Sequence, residues 1–230
     1  MAYFHQFLNG KKTSLPLGKV VCVGRNYAEH AKELSNPVPS SPLLFMKPST
    51  SFVSLEEKIH LPDNDSVCHF ETEIAVLIGE TISKENVANV QDKIAGYGLG
   101  LDLTLRELQN ELKSKGHPWE MAKAFDGACP LSAFVEADKV QDPNKLGLAA
   151  RMNGALRQKG FADEMISPLL SLLSDISFHF TLLPGDVVMT GTPAGVGPLQ
   201  AGDVLSLQLL LRENINAESL LAEFQTSVEG

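Results

Sequence analysis

Glu71 and Glu73 are the residues from which a chemical reading of this chain starts. They flank Thr72 and precede the apolar run Ile74-Ala75-Val76-Leu77-Ile78, closed by Gly79, which reads as a short buried strand. Residues two apart on a strand point to the same face, so both carboxylates would project together at its mouth. Held side by side they repel and lose hydration, and a hard divalent cation is the simplest compensation. An edge strand with two solvated glutamates satisfies the same spacing. Asp102, ending a second apparent strand AGYGLGLDLT at 95–104, is a candidate third ligand, or else the cap of a helix starting near Thr104. Three carboxylates with no Cys or His pair nearby favour Mg2+, Mn2+ or Ca2+ over zinc.

His30 and Glu33 are spaced i,i+3 on an expected short helix and share a face. A carboxylate beside an imidazole fixes its tautomer and suits it to act as a general base; a surface ion pair has the same spacing. Lys47, Arg106, Gln109 and Lys123 could hold a carboxylate or stabilise a developing enolate, though by position alone they are ordinary surface residues. The run Thr190 to Gly197, TGTPAGVG, is neither a Walker A loop nor a dinucleotide fingerprint; it is a tight loop whose backbone N–H groups could meet an anion.

Positioning these groups calls for many short elements. KVVCVG at 19–24 reads as a strand, with Asn26 as N-cap of a helix from Tyr27 to Leu34 that Asn36-Pro37 stops. PLLFMKP at 42–48 reads as a brief strand delivering Lys47, and Pro62-Asp63-Asn64-Asp65 as a turn. Helices are expected over 84–94, over Thr104 to Ser114 closing at Gly116, and over 164–180. Asn153-Gly154 inside ARMNGALRQ predicts a type I′ hairpin, and Pro184-Gly185-Asp186 a turn into strand VVMTGT. Strand VLSLQLLL follows, and the tail from Asn214 is expected to form an amphipathic helix presenting Leu220, Leu221 and Phe224. With no linker or repeat, residues 1–230 read as one mixed α/β domain, predominantly β, with peripheral short helices.

A net charge of -9 leaves no basic surplus to neutralise phosphates, which argues against a nucleic-acid binder. The charge is uneven: residues 1–50 carry an excess of Lys and Arg and residues 51–100 an excess of Asp and Glu, as a small anion held beside a metal would fit. Cys22, Cys68 and Cys129 are odd in number and far apart, so a disulfide framework is excluded and a reducing compartment expected. The N-terminus lacks a signal-peptide apolar core and no run is long enough to span a bilayer, so a cytoplasmic location away from the membrane is expected.

Taken in order, GRNYAEHAKE at 24–33, FMKP at 45–48, FETEIAVLIG at 70–79, GYGLGLDLTLRELQ at 96–109, KAFDGACPL at 123–131, MNGALRQ at 152–158 and GDVVMTGTPAGVG at 185–197 resemble the fumarylacetoacetate hydrolase family. The likeness is nearest to the small branch of acylpyruvases that also decarboxylate oxaloacetate. It implies a β-roll built as a homodimer, with a core over about 18–210 and a divergent tail at 211–230. It implies a divalent metal, Mg2+ or Mn2+, on Glu71, Glu73 and Asp102, and a lid segment carrying His30 and Glu33. It implies catalytic Lys123 and substrate-binding Arg25, Lys47, Arg106, Gln109 and Thr192. The substrate would be an acylpyruvate or a small 2-oxo dicarboxylate whose carboxylate and 2-oxo oxygens chelate the metal. For hydrolysis, His30 would activate water, Lys123 and Gln109 would face the oxyanion, and Arg106 or Thr192 the carboxylate. Decarboxylation of oxaloacetate needs no such water. Isomerisation of 2-hydroxyhepta-2,4-diene-1,7-dioate, oxaloacetate keto–enol tautomerisation and a non-catalytic metal-binding scaffold are the alternatives.

Overall fold

A computed structural model describes residues 3–34, 41–62, 66–214 and 217–229. The expected stop at Asn36-Pro37, the second half of the lid segment and the turn residues Asp63 to Asp65 lie outside the described residues. The principal sheet has eight strands. Across it run Leu43–Lys47, Val20–Gly24, Val187–Met189, Thr72–Ile78, Ile94–Leu101, Cys129–Leu131 and Phe52–Ser54, with Val135–Glu136 also pairing to Ile94–Leu101. All pairs within it are antiparallel except Val20–Gly24 with Val187–Met189 and Phe52–Ser54 with Cys129–Leu131. Thr72–Ile78 is buried along its whole length because it is central and covered on both faces, which is why it reads as a continuous apolar run. Its neighbour carries Gly96, Gly98 and Gly100 on one face; a Cβ at Gly100 would lie 2.7 Å from Met189 Sδ, and one at Gly98 2.9 Å from Ser132 Oγ. The glycines make room on that face for the side chains of Met189, Leu131, Ser132 and Phe134.

A five-stranded sheet, Ala155–Phe161, Leu146–Met152, Val204–Asn214, Ala217–Glu229 and Ile59–His60, packs against the first. A single apolar cluster includes Ile74 and Val76 of one sheet and Leu148, Leu207 and Phe224 of the other. Asn153 (φ 53°) and Gly154 (φ 82°) make the expected type I′ turn. A third, three-stranded sheet joins Gly197–Pro198, Cys68–Phe70 and Thr104–Leu105 beside the strand bearing Glu73.

Several expected boundaries move. The tail is not a helix: Ala217–Glu229 pairs antiparallel with Val204–Asn214. Ala222, Phe224, Thr226 and Val228 are its buried residues, a period of two, and Leu220 is exposed. The stretch 84–94 forms only the helical turn Val87–Val90, capped by the Asn86 side chain, and a 3-10 turn, because Ile94 must already enter the central sheet. The helix expected from Thr104 begins at Arg106, since Thr104–Leu105 pairs with Cys68–Phe70. The long helix is confined to Leu169–His179, entered from Pro168. Asn26 does not cap Ala28–Glu33; its amide instead donates to the carbonyls of Thr190 (2.9 Å) and Ser167 (3.2 Å). Among the described residues no helix is long and apolar enough to cross a membrane.

Candidate metal centre and active site

The pairing of Thr72 with Leu101 sets Glu71 across from Asp102, whose N–H donates to the Glu71 carbonyl at 2.8 Å. Carboxylate oxygens of Glu71, Glu73 and Asp102 thereby lie within 4.8 Å of one another, all buried. The solvated-edge reading of Glu71 and Glu73 is therefore excluded, and Asp102 is no helix cap. Lys123, on the one-turn helix Glu120–Lys123, donates to Glu71 Oε2 at 2.9 Å and Asp102 Oδ2 at 2.6 Å. Arg106 Nη2 pairs with Glu71 Oε1, and its Nη1 donates to Gln109 Oε1 at 2.7 Å. Arg106 Nε is buried without an acceptor among the described residues.

Burial alone would raise the Glu71 carboxyl, but Lys123 and Arg106 outweigh it and hold it well below the usual carboxylate range. Glu73 goes the other way: burial, then the charges of Asp102 and Glu71, push its carboxyl well above the ordinary value against the Gly191 N–H that donates to it at 2.7 Å. Lys123 is lowered by burial and raised further by Asp102 and Glu71, with a net upward shift that keeps it an ammonium. One proton on Glu73, or a cation, must relieve this cluster. Asp102 Oδ1 is buried with no hydrogen-bond donor in position, although Lys47 Nζ approaches to 2.8 Å as an ion pair. All-oxygen donors, a carboxylate pushed to hold a proton and an oxygen short of a donor fit a hard divalent ion.

The trio opens into a cleft also lined by Arg25, His30, Arg106, Gln109, Lys113, Lys123 and Thr192. His30 Nδ1 lies 3.1 Å from Glu33 Oε2. A carboxylate only accepts, so Nδ1 carries a hydrogen, and in the neutral imidazole the lone pair is then on Nε2. Glu33 is itself held: its Oε1 accepts from Gly195 N–H at 3.0 Å. Gly195 has φ 104°, and a Cβ there would overlap the Arg157 carbonyl, so this contact needs glycine. The TGTPAGVG loop does meet anions, but they are the protein's own: Gly191 N–H binds Glu73 and Gly195 N–H binds Glu33.

Two candidates sit differently from the rest. Lys47 has no exposure and does not line the cleft; it lies behind Asp102, donating to the carbonyls of Lys123, Ala128 (3.0 Å) and Leu103 (3.4 Å). Thr192 lines the cleft, yet its hydroxyl hydrogen goes to the Thr72 carbonyl at 2.8 Å, leaving none to donate to a ligand. Residues not singled out in the sequence complete the site. Gln158, fully buried, accepts from Thr72 N–H at 3.0 Å and donates to Thr192 Oγ1 at 2.6 Å and Pro193 O at 2.8 Å, clamping the strand that carries Glu73 to the loop. Phe45 and Trp119, 5.8 Å apart, form an aromatic wall beside Lys123. Lys113 lies seven residues after Arg106 and four after Gln109, a helical spacing that was available in the sequence.

This fold is met in known proteins. The family pattern described as fumarylacetoacetate (FAA) hydrolase C-terminal matches residues 19–223. The chain belongs to the fumarylacetoacetate hydrolase family and is an enzyme of it. It is 47% identical over 206 residues to the oxaloacetate tautomerase YcgM of Escherichia coli, covering 89% of this chain and 94% of that one. Among solved structures, a protein from Oleispira antarctica described as a putative fumarylacetoacetate isomerase/hydrolase superposes with a TM-score of 0.92 at 49% identity, covering 99% and 100% of the two chains. The fumarylpyruvate hydrolase of Pseudomonas aeruginosa, in complex with Mn2+ and pyruvate, superposes with a TM-score of 0.87 at 30% identity, covering 99% and 95%.

Proposed function

We propose that this enzyme enolises small 2-oxo acids with the help of a divalent cation, and that keto–enol tautomerisation of oxaloacetate is its leading reaction. One observation carries the reading: three buried carboxylates converge within 4.8 Å, in a cleft that also holds Arg106, Lys123 and the His30–Glu33 pair. The Escherichia coli relative named oxaloacetate tautomerase supports the choice of substrate. A divalent cation on Glu71, Glu73 and Asp102, Mg2+ or Mn2+, would supply Lewis acidity toward the 2-oxo oxygen and favour the enolate.

The chain's own groups carry the remaining roles. Arg106, with its buried Nε–H short of an acceptor, holds the carboxylate beside the 2-oxo group, and Gln109 fixes the plane of the guanidinium. Lys123 sets its ammonium against charge developing on oxygen. His30 Nε2 takes the proton from C3, and Glu33 steadies the imidazolium that forms. Returning a proton to oxygen gives the enol and to carbon the keto form, so nothing is consumed. Decarboxylation follows from the same enolate-forming geometry, since loss of CO2 leaves pyruvate enolate, which takes up a proton.

A second reading, hydrolysis of acylpyruvates, is favoured by the two-point hold on Glu33, which fixes a base on the cleft wall. There His30 takes a proton from water, hydroxide adds to the distal carbonyl, and the C–C bond breaks to a carboxylate and pyruvate enolate, which becomes pyruvate on taking the proton back from His30. Either chemistry is proposed for a homodimer.

A four-substrate panel tests the proposal: enol-oxaloacetate coupled to malate dehydrogenase, acetylpyruvate, fumarylpyruvate and 2-hydroxyhepta-2,4-diene-1,7-dioate, each with Mg2+, Mn2+ or chelator. Cation-dependent turnover is expected to be fastest with oxaloacetate. His30→Ala should lower turnover roughly 10²–10⁴-fold with cation affinity retained. Full activity in chelated protein would sink the scheme, and a clear preference for an acylpyruvate would promote the second reading.

A further inference from the structure

One loop touches both halves of the site, the acidic trio and the base. Within residues 190–195, Gly191 N–H donates to Glu73 at 2.7 Å and Gly195 N–H donates to Glu33 at 3.0 Å. The Thr190 carbonyl accepts from the Asn26 amide at 2.9 Å. Asn26 comes just before Tyr27, which enters the Ala28–Glu33 helix, and Glu33 is the last residue of that helix. The loop therefore reaches both ends of the helix bearing His30 as well as the strand bearing Glu73. A Cβ at Gly191 would lie 2.7 Å from Asn26 Cβ, so the two segments meet with no room for a side chain.

That loop is itself held from the second sheet. On Ala155–Phe161, Gln158 and Gly160 are both buried and, two residues apart, share a face. Gly160 leaves space for Pro193 and for the Tyr27 ring, whose nearest atoms would lie 2.9 Å and 3.2 Å from a Cβ there. Gln158 supplies the polar hold. Its Oε1 accepts from Thr72 N–H, and its Nε2 donates to Thr192 Oγ1 and to the Pro193 carbonyl. The Thr192 hydroxyl donates back to the Thr72 carbonyl, which closes a ring of hydrogen bonds on the residue between Glu71 and Glu73. Among uncharged side chains only an amide offers two donors and an acceptor together. Gln158 does not line the cleft, so it acts on the reaction only through other residues.

We propose that Gln158 is a positioning residue that keeps Glu73 and the His30–Glu33 pair in register, so that cation affinity and proton transfer depend on one amide. This rests on the cation-assisted reading above and adds the residue that aligns its two halves. Without the Nε2 donors, Thr192 and Pro193 lose their hold, and the N–H groups of Gly191 and Gly195 shift against the carboxylates they meet. Groups that orient a metal ligand are worth roughly 10–100-fold in metal affinity or activity. A displacement of about 1 Å at a reacting group costs about 10²-fold. Arg106 and Gln109 stand on a different element, the Arg106–Ser114 helix, so binding of the substrate carboxylate should change little.

The test compares Gln158→Met, which keeps the length of the side chain and removes its hydrogen bonds, with Leu209→Ala, a cavity at a buried leucine of the same sheet outside the ring. Mn2+ dissociation constants are measured by calorimetry, kcat and KM for oxaloacetate at saturating Mn2+, and melting temperatures for every variant. Gln158→Met should weaken Mn2+ about tenfold or more and, once saturated, lower kcat about tenfold or more with KM within about threefold. Leu209→Ala should lower the melting temperature and move neither constant. Thr192→Val opens the same ring from the loop side, should repeat both losses, and decides the matter where Gln158→Met does not fold; Thr192→Ser should restore most of both. The double variant Gln158→Met/Thr192→Val should be little worse than either single one, because one ring is already open. Weaker Mn2+ binding with kcat intact at saturation, or a lower melting temperature with both constants intact, overturns the proposal while the cation-assisted reading stands. Wild type that turns over oxaloacetate equally well in chelator overturns that reading, and this proposal with it.

Discussion

Lys47 Nζ is fully buried and meets Asp102 together with three main-chain carbonyls, so its charge acts on the acidic trio rather than on a substrate in the cleft. Lys47→Met keeps the volume but strands those carbonyls and removes half of a buried pair. Breaking such a pair costs about 3–5 kcal/mol. The expected outcome is a loss of that size in denaturant unfolding, together with weaker cation binding by titration. A lysine that only touched substrate would change KM and leave stability within about 0.5 kcal/mol. The sequence made the acidic trio legible because strand periodicity puts Glu71 and Glu73 together and a strand end supplies Asp102. It made the His30–Glu33 pair legible because i,i+3 spacing is local. It could not separate Lys47 from Lys123, since which lysine lies behind Asp102 and which in front depends on tertiary packing. Gln158 was invisible for the same reason: nothing within Ala155–Phe161 says that its amide will clamp Thr72 to Thr192.

At the scale of elements, the terminal strand shows how two periodicities can be read into one segment. Leu220, Leu221 and Phe224 fit a helix face, but the buried set is Ala222, Phe224, Thr226 and Val228, which fits a strand. The deciding influence is the partner: Val204–Asn214 offers a long edge, and Ala217–Glu229 pairs along almost all of it. Two substitutions separate the readings. Phe224→Ala should destabilise by about 3–5 kcal/mol, as a buried aromatic does. Leu220→Asp, at 53% exposure, should stay within about 0.5 kcal/mol. Comparable losses at both positions in thermal or denaturant melts would mean that a helix face, not a strand, is buried. The inner strands gave no such ambiguity, because Thr72–Ile78 is too short and too β-branched for a helix and the glycines of Ile94–Leu101 exclude one.

For the molecule as a whole, the acidic trio makes stability depend on cation and pH together. Glu73 is pushed upward by burial, Asp102 and Glu71, so without a cation the folded state holds a proton that the unfolded chain releases near the ordinary carboxylate value. Where the folded state binds more protons, stability falls as pH rises, so this group weakens the cation-free protein from mildly acidic pH upward. Glu71 has the opposite sign: its carboxyl is held low, its contribution is complete above the unfolded value, and it is lost only as pH falls below that. His5, whose imidazole is lowered to about 4 by burial against the Gly185 carbonyl contact, also costs stability on acidification, between its ordinary value and about 4. A bound divalent cation replaces the Glu73 proton and cancels the first of these effects while leaving the His5 term in place. The difference in melting temperature between Mn2+-loaded and chelated protein should therefore widen steadily from pH 5 to pH 8, since a cation competing with one fewer proton gains affinity. Because His5 titrates in both forms, it drops out of the difference. Glu73→Gln should flatten the pH dependence and remove most of the gain. A difference that stays constant or shrinks with pH would mean that the cation binds elsewhere and that Lys47, Arg106 and Lys123 supply the counter-charge for the trio.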